Sequence, residues 1–358
     1  MKRLAILIGL LLLGAGAILW VYFYSQSLTP MYEPGNVRAG KDLSAPLTPP
    51  AQSKDASFWT VEPGIKLHTF SAGSGTPVLV VHGGPGIPFT QPLPGLKPLT
   101  TQYQFYYYDQ RGCGQSTRPI DKLTSTDYNQ DFQTVNLALG VGAQIADIER
   151  IRQILGQDQL ILLGHSFGGF LATMYAAEFP DHVKALILVD PADELQMPQP
   201  DGGVFNQVEA LLPGDQKQGY LTLMATYLDY AGFLTHSDQE LTALNNQFYG
   251  YYSQAARVKG YTAPPISDPS LTGGWMVQGM YLSMGQHHDY RAALKQITAP
   301  VLVIHGEKDI QPAQASQQYA TLIPHAQFVL IPGAGNFPFD DQPEQFAKIV
   351  GDFLSSIH

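Results

Sequence analysis

The run Leu160-Ile161-Leu162-Leu163 leading into Gly164-His165-Ser166-Phe167-Gly168-Gly169 constrains this chain more than any other stretch. The aliphatic run suits a buried strand, and residues 170–177, free of proline and glycine, read as a helix that starts at once. Only a Gly-x-Ser-x-Gly turn separates them. Such a turn lifts the serine out of the sheet in a strained backbone, with neighbours so close that side chains at 164 and 168 would clash. Ser166 is therefore the candidate nucleophile, at a helix N-terminus whose free peptide N–H groups favour developing negative charge. The motif leaves two of its positions open and also describes an ordinary Gly/Ser turn, so the rest of the chain has to decide.

Upstream, Pro77-Val78-Leu79-Val80-Val81 is apolar on both faces, which predicts a central strand, and it runs into His82-Gly83-Gly84-Pro85-Gly86. A glycine loop in this place leaves its peptide N–H groups uncovered. Gly83 or Gly84 is the expected oxyanion donor beside the N–H of Phe167, while His82 is expected to order the turn rather than act as a base. A strand over residues 105–108 then meets Asp109-Gln110-Arg111-Gly112-Cys113-Gly114. Asp109 and Arg111 are expected to lock this loop by pairing with each other or with backbone. Cys113, the single cysteine, excludes a disulfide framework and a thiolate metal site, and nothing adjacent would lower its pKa.

Residues 141–155 carry apolar side chains at helical spacing (Ile145, Ile148, Ile151, Leu155), leaving Asp147, Glu149, Arg150 and Arg152 for an exposed face. Another buried strand, residues 185–189, ends at Asp190-Pro191. Strands alternating with helices argue for a mostly parallel sheet covered on both faces. Between 192 and 286 no strand signal appears. Residues 207–212, 221–230 and 241–257 read as helices, with Tyr220, Tyr227, Tyr230, Phe248, Tyr249, Tyr251, Tyr252 and Trp275 making the region aromatic, as suits an apolar pocket.

The ordered motifs His-Gly-Gly-Pro-Gly (82–86), Asp-Gln-Arg-Gly-Cys-Gly (109–114) and Gly-His-Ser-Phe-Gly (164–168) closely resemble the prolyl aminopeptidase (proline iminopeptidase) family of α/β-hydrolases, over roughly residues 77–191 and from 299 onward. The resemblance implies an α/β-hydrolase fold, a mostly parallel central sheet with helices on both faces and a helical cap insertion. Its core would be residues 57–191 and 287–358, and its cap residues 192–286. It places the catalytic acid at Asp309, after the strand 300–305, with Glu307 the weaker candidate and His305 helping to position the loop. The chain order Ser166, Asp309, then position 336 is that of α/β-hydrolases. In the family the last loop reads Gly-Ala-Gly-His-Phe-Pro; here it is Gly333-Ala334-Gly335-Asn336-Phe337-Pro338, so Asn336 fills the histidine position. A carboxamide hydrogen-bonds on two sides but has no lone pair that titrates near neutrality, and cannot take the serine proton. The chain is then an inactivated hydrolase, a non-catalytic relative that binds ligand, or an enzyme recruiting another base, for which His287 and His288 are the candidates.

Family members hold the substrate's free amine with cap glutamates beside a tryptophan-rich stretch. The similar stretch here, residues 248–254, has no carboxylate. Glu194, Glu209, Asp229 and Glu240 are the candidate replacements, with Tyr249 and Tyr252 as pocket candidates. The implied activity is serine hydrolysis of acyl bonds in an N-terminal aminoacyl or short-peptide substrate, with small esters or amides as the alternative. No metal or organic cofactor is expected.

A net charge of −10 and a pI near 5.4 would repel a phosphate backbone, which excludes nucleic acid as a partner. Charged residues make up only 14% of the chain, and none falls in residues 4–24. As a helix that run spans about 31 Å, bilayer thickness, behind Lys2 and Arg3. Residues 1–24 are therefore expected to be a transmembrane anchor, with a cleaved signal peptide as runner-up, and the proline-rich residues 25–56 a tether. The catalytic domain would face outside the cytoplasm, in a periplasm or at the cell surface.

Overall fold

A computed structural model describes residues 30–357 other than 42, 126, 201, 230 and 231. In chain order its elements are β1 (Phe58–Glu62), β2 (Ile65–Gly73), β3 (Thr76–Val81), β4 (Tyr103–Tyr108), α1 (Tyr128–Leu139), α2 (Val141–Ile154), β5 (Leu160–His165), α3 (Phe167–Glu178) and β6 (Val183–Val189). There follow β7 (Gln196–Met197), α4 (Gly203–Leu211), α5 (Gly214–Tyr227), α6 (Asp238–Lys259), α7 (Trp275–Met284) and β8 (His288–Asp289). The chain closes with β9 (Val301–Gly306), α8 (Ala313–Leu322), β10 (Gln327–Ile331), α9 (Pro338–Asp341) and α10 (Pro343–Ser355).

Eight strands form one sheet in the order β1-β2-β4-β3-β5-β6-β9-β10. The pairs β1/β2 and β2/β4 are antiparallel, and all later pairs are parallel. Alternation along the strands divides the core. Leu79, Val81, Leu162, Leu186 and Leu188 face the layer with α2 and α3, whereas Val78, Val80, Ile161, Leu163 and Ile187 face the layer with α10. Every residue of β5 is buried, which explains why its sequence is apolar without alternation. From β3 the chain first builds outward to β4 and then returns to β5 on the other side of β3. This reversal is a topological switch point, where a crevice opens at the carboxyl ends of β3 and β5. The glycine loop and Ser166 sit at those two strand ends.

Several expectations are corrected. Asp147, Glu149 and Arg150 are not on an exposed face of α2; they are 0%, 3% and 1% exposed. Arg111, also wholly buried, reaches past Asp109 to pair with Asp147 at 2.6 Å and Glu62 at 3.0 Å. The expected backbone pairing holds: Asp109 accepts the N–H of Gln115 at 2.8 Å, beside His68 Nδ1 at 3.1 Å, and Arg111 donates to the Ala138 carbonyl at 3.2 Å. The covering layer comes from residues 31–47, expected to belong to a tether. The amides of Met31 and Tyr32 donate to the carbonyl of Ser283, the Tyr32 hydroxyl donates to Glu178 at 2.8 Å, and Arg150 donates to the carbonyls of Ala45 and Pro46. A proline-rich segment without periodicity can still dock when buried charges on the core need its carbonyls.

The membrane partner and the extracytoplasmic placement expected from the sequence are withdrawn. Among the described residues no helix is long and apolar enough to cross a membrane. The longest, α6 with 22 residues, carries charges at both ends and Asn and Gln between them. The expected anchor, residues 4–24, lies outside the described residues.

Between β6 and β9 the helices α4, α5 and α6 stack through rings, with Phe205–Phe248 centroids 5.2 Å apart and Tyr220–Tyr251 5.3 Å apart. Tyr230 lies outside the described residues. Two features of this region were not expected. The short strands β7 and β8 pair antiparallel, Gln196 with Asp289 and Met197 with His288, and so join the two ends of the insertion. Helix α7, nearly all buried, packs on α1, where Gly279 leaves room for Leu139 and Val135. Two-residue strands have no periodicity to read, and a helix buried all round has no polar face to mark it.

Candidate active site

The turn between β5 and α3 puts Ser166 at φ 52° and ψ −122°, a left-handed backbone that few side chains adopt. Contacts around it account for the glycines. A Cβ at Gly164 would lie 2.5 Å from the carbonyl oxygen of Gly168, and one at Gly168 only 2.2 Å from that of Val81. The loop after β3 closes on the same turn, because a Cβ at Gly83 would lie 2.7 Å from both Ser166 Cβ and the carbonyl of His165. Phe167 opens α3, so its N–H has no acceptor within the helix. Among the described residues the Ser166 hydroxyl has no hydrogen-bond partner.

Asp309 follows β9. Its Oδ2 accepts a hydrogen bond from Asn336 Nδ2 at 3.0 Å, and Tyr261 points its hydroxyl at Oδ1 from 3.4 Å. Burial pushes Asp309 up to about 6, against the pull of the Asn336 amide. On its other side Asn336 meets His165, whose Nε2 lies 2.7 Å from the Asn336 carbonyl oxygen and 3.1 Å from Oδ1. Both are acceptors, so the His165 proton sits on Nε2 and Nδ1 bears the lone pair. Burial lowers this histidine to about 4 and keeps it neutral. Rings of Phe89, Phe337 and Phe339 surround it at 5.1 to 5.9 Å. Sequence reading missed His165 because it occupies a free position of the motif.

These residues share one cavity of about 460 Å³, lined by Ser166, Phe167, Gly83, Gly84, Asp309 and Asn336. Of the cap candidates, Glu194, Tyr249 and Tyr252 also line it, and Glu209, Asp229 and Glu240 do not. Glu240 is held away in a capping box with Ser237, and Asp229 accepts the N–H of Gly232. Glu194 is 5% exposed and its Oε2 has no partner. Burial, then the nearby charge of Asp193, raises it to about 8. Tyr252 shares a 2.9 Å hydrogen bond with Tyr261, a link from the cap to Asp309.

His82 sits beneath the site. Its Nε2 accepts the Gln110 N–H at 3.1 Å, leaving Nδ1 to donate to the Gly83 carbonyl at 2.9 Å, which orders the glycine loop. His287 and His288, the alternative bases, are not on the cavity. His288 is buried with Nε2 against the Glu194 carbonyl at 3.0 Å. Burial raises the Cys113 thiol, and Glu307 accepts the Gly333 N–H outside the cavity. Asp190, His305 and Asp309 bring ligand-type atoms within 4.8 Å of one another. The Gly306 N–H and the Asn336 amide already aim at those carboxylates, and donors so placed would repel a cation.

Residues 76–343, from the β3 strand to the start of α10, match the family described as alpha/beta hydrolase fold. The chain is an α/β-hydrolase. It is similar to the proline iminopeptidase of Heyndrickxia coagulans, 28% identical over 304 residues, which cover 80% of this chain and 92% of that one. It is also similar to the human (Homo sapiens) 1-acylglycerol-3-phosphate O-acyltransferase ABHD5, 25% identical over 320 residues, 85% and 83% of the two chains. An esterase from Exiguobacterium antarcticum superposes with a TM-score of 0.60 at 21% identity, covering 84% of this chain and 99% of that one. This α/β-hydrolase is thus related to the proline iminopeptidase branch at low identity, on a scaffold shared with esterases.

Proposed function

We propose that this α/β-hydrolase opens small ester or amide carbonyls with Ser166 as nucleophile, and that Asn336, in the histidine position, makes turnover slow. Ser166 Oγ attacks the carbonyl carbon, and the new oxyanion is met by the Phe167 N–H and that of Gly83 or Gly84. No side chain at 336 takes the Oγ proton, which leaves to solvent hydroxide. Collapse of the oxyanion breaks the bond to the alcohol or amine, which takes its proton from water, and a second hydroxide cleaves the acyl-serine to release the acid and free Ser166. The amide of Asn336 keeps the shape of the site by bonding Asp309 on one side and His165 on the other. Oxyanion stabilisation and binding alone leave on the order of 10³–10⁴ over water. The observation that carries this reading is the approach of Gly83 to Ser166, so close that a Cβ would sit 2.7 Å from the serine Cβ. It brings the glycine loop's amides beside a strained serine. Hydrolysis of short-chain p-nitrophenyl esters at high protein concentration tests it. The rate should exceed that of the Ser166→Ala protein; equal rates would refute it.

A second reading, an aminopeptidase-like preference for substrates with a free amine, is favoured by the charge of the cavity. Among the described residues Asp193, Glu194, Asp268, Asp309 and Asp340 line it, and no Lys or Arg does. Glu194, the buried carboxyl with an unpartnered oxygen, is the residue to receive an ammonium there. Matched arylamides with free and acetylated amines separate the two readings. A free-amine preference in kcat/KM above about tenfold, roughly 1.4 kcal/mol, supports the second.

A further inference from the structure

Asp190 stands at the end of β6, next to the strand whose loop carries Asp309, and nothing in the reaction above uses it. Its backbone lies at φ 44°, in the left-handed region that a non-glycine residue enters only when its surroundings force it. Its carboxyl is 1% exposed. Oδ1 accepts the Gly306 N–H at 2.8 Å and faces His305 Nδ1 at 3.1 Å. Among the described residues Oδ2 has no hydrogen-bond partner, although its carboxyl and that of Asp309 lie in the same cluster, with ligand atoms within 4.8 Å. An orphaned carboxylate oxygen beside a second buried carboxylate is costly twice, through lost hydration and through like-charge repulsion.

One proton removes both costs. We infer that Asp190 is a positioning residue held as a neutral carboxylic acid, whose Oδ2–H donates to Asp309 and fixes that carboxylate toward position 336. The inference rests on the reading of Asp309 as the site's acid. Donor geometry decides which carboxyl keeps the proton. Asp309 is met by Asn336 Nδ2, by the Tyr261 hydroxyl and by the N–H groups of Ile310 and Gln311, so of the two buried carboxyls its negative charge has the more donors. Asp190 has the single N–H of Gly306. His305 adds no cation: burial lowers it to about 4, so its 3.1 Å approach to Asp190 is a neutral contact, shared with Ser316 Oγ at 2.9 Å. The remaining charges felt by the pair, Lys259 on α6 and Asp341 on α9, oppose each other. The cluster then carries one negative charge, on the Asp309 carboxylate whose Oδ2 meets Asn336.

Protein labelled with ¹³C at aspartate carboxyls tests this without turnover. At pH 7 its infrared or NMR spectrum should show one protonated aspartate, present also in Ser166→Ala and absent in Asp190→Asn. Asparagine keeps a donor toward Asp309, whereas Asp190→Ala does not. In a background carrying Asn336→His, Asp190→Asn should hold esterase kcat within about threefold, and Asp190→Ala should lose at least tenfold with little change in KM. A native spectrum without a protonated aspartate at pH 7, or one unchanged by Asp190→Asn, overturns the inference. Failure of Ser166 to hydrolyse anything, with the protonated signal intact, would instead count against the proposed function alone.

Discussion

Asn336 holds Asp309 through a 3.0 Å amide-to-carboxylate hydrogen bond, in a place where no group on the other side of Asn336 is a strong base. The amide's remaining oxygen is spent on His165, an imidazole that burial lowers to about 4. On the reading proposed above, Asp309 is the acid and Asn336 a hydrogen-bonded go-between to Ser166 that cannot carry a proton.

Asn336→His is expected to raise kcat/KM for p-nitrophenyl esters by about 10²–10⁴, the usual contribution of a positioned general base. Its rate should climb with pH through the range near 6.5 where an unperturbed imidazole loses its proton and then level off, whereas the native rate, which depends on solvent hydroxide, should rise without a plateau. Steady-state rates from pH 5 to 9 check both.

Gly168→Ala should be the most damaging small change in the motif, because its Cβ would press to 2.2 Å on the backbone carbonyl of Val81, which cannot rotate away. A loss of several kcal/mol in urea unfolding is expected. Gly156→Ala is the control: φ there is +64° but nothing lies within 4 Å, so only backbone strain is added, at a cost of about 1 kcal/mol.

Glu194→Gln should change how stability depends on pH. Glu194 has a folded-state value near 8, above the ordinary carboxylate range, with burial the first cause. Its contribution is fully present below the unfolded value and is lost as pH rises through about 8. The glutamine protein lacks that loss. The stability gap in favour of Gln should widen from pH 5 to about 8, to a few kcal/mol at most, and then level off. Denaturant midpoints across that range are the measurement.

Arg111→Ala should cost about 3–5 kcal/mol, since it leaves two buried carboxylates, Glu62 and Asp147, to share the single cation of Arg150. Adding Asp147→Asn should recover part of the loss, which a double-mutant cycle reads directly.

Much of this was legible in the sequence because it rests on local geometry. A strand, a glycine turn and a helix around Ser166 can be read from ten residues, and the strands that deliver Gly83 and Asp309 are uninterrupted apolar runs. The sites that were hidden depend on distant packing. Arg111 could not be assigned to Glu62 and Asp147 until residues 31–47 were seen to cover α2, which also explains why the charges of that helix are buried. His165 was hidden by standing at a free motif position, and Asp190 by its resemblance to an ordinary strand-ending turn. Glu194 stood out from Glu209, Asp229 and Glu240 only once the cavity showed which carboxyl it holds.

The most direct measurement is the rate at which a fluorophosphonate labels Ser166, mapped by peptide mass spectrometry in the native, Asn336→His and Ser166→Ala proteins. A single adduct on Ser166 is expected in the first two, formed faster with histidine at 336, and none in the third. A folded Asn336→His protein that stays unlabelled, or that is labelled anywhere but Ser166, would contradict the assignment of this serine and the site built around it.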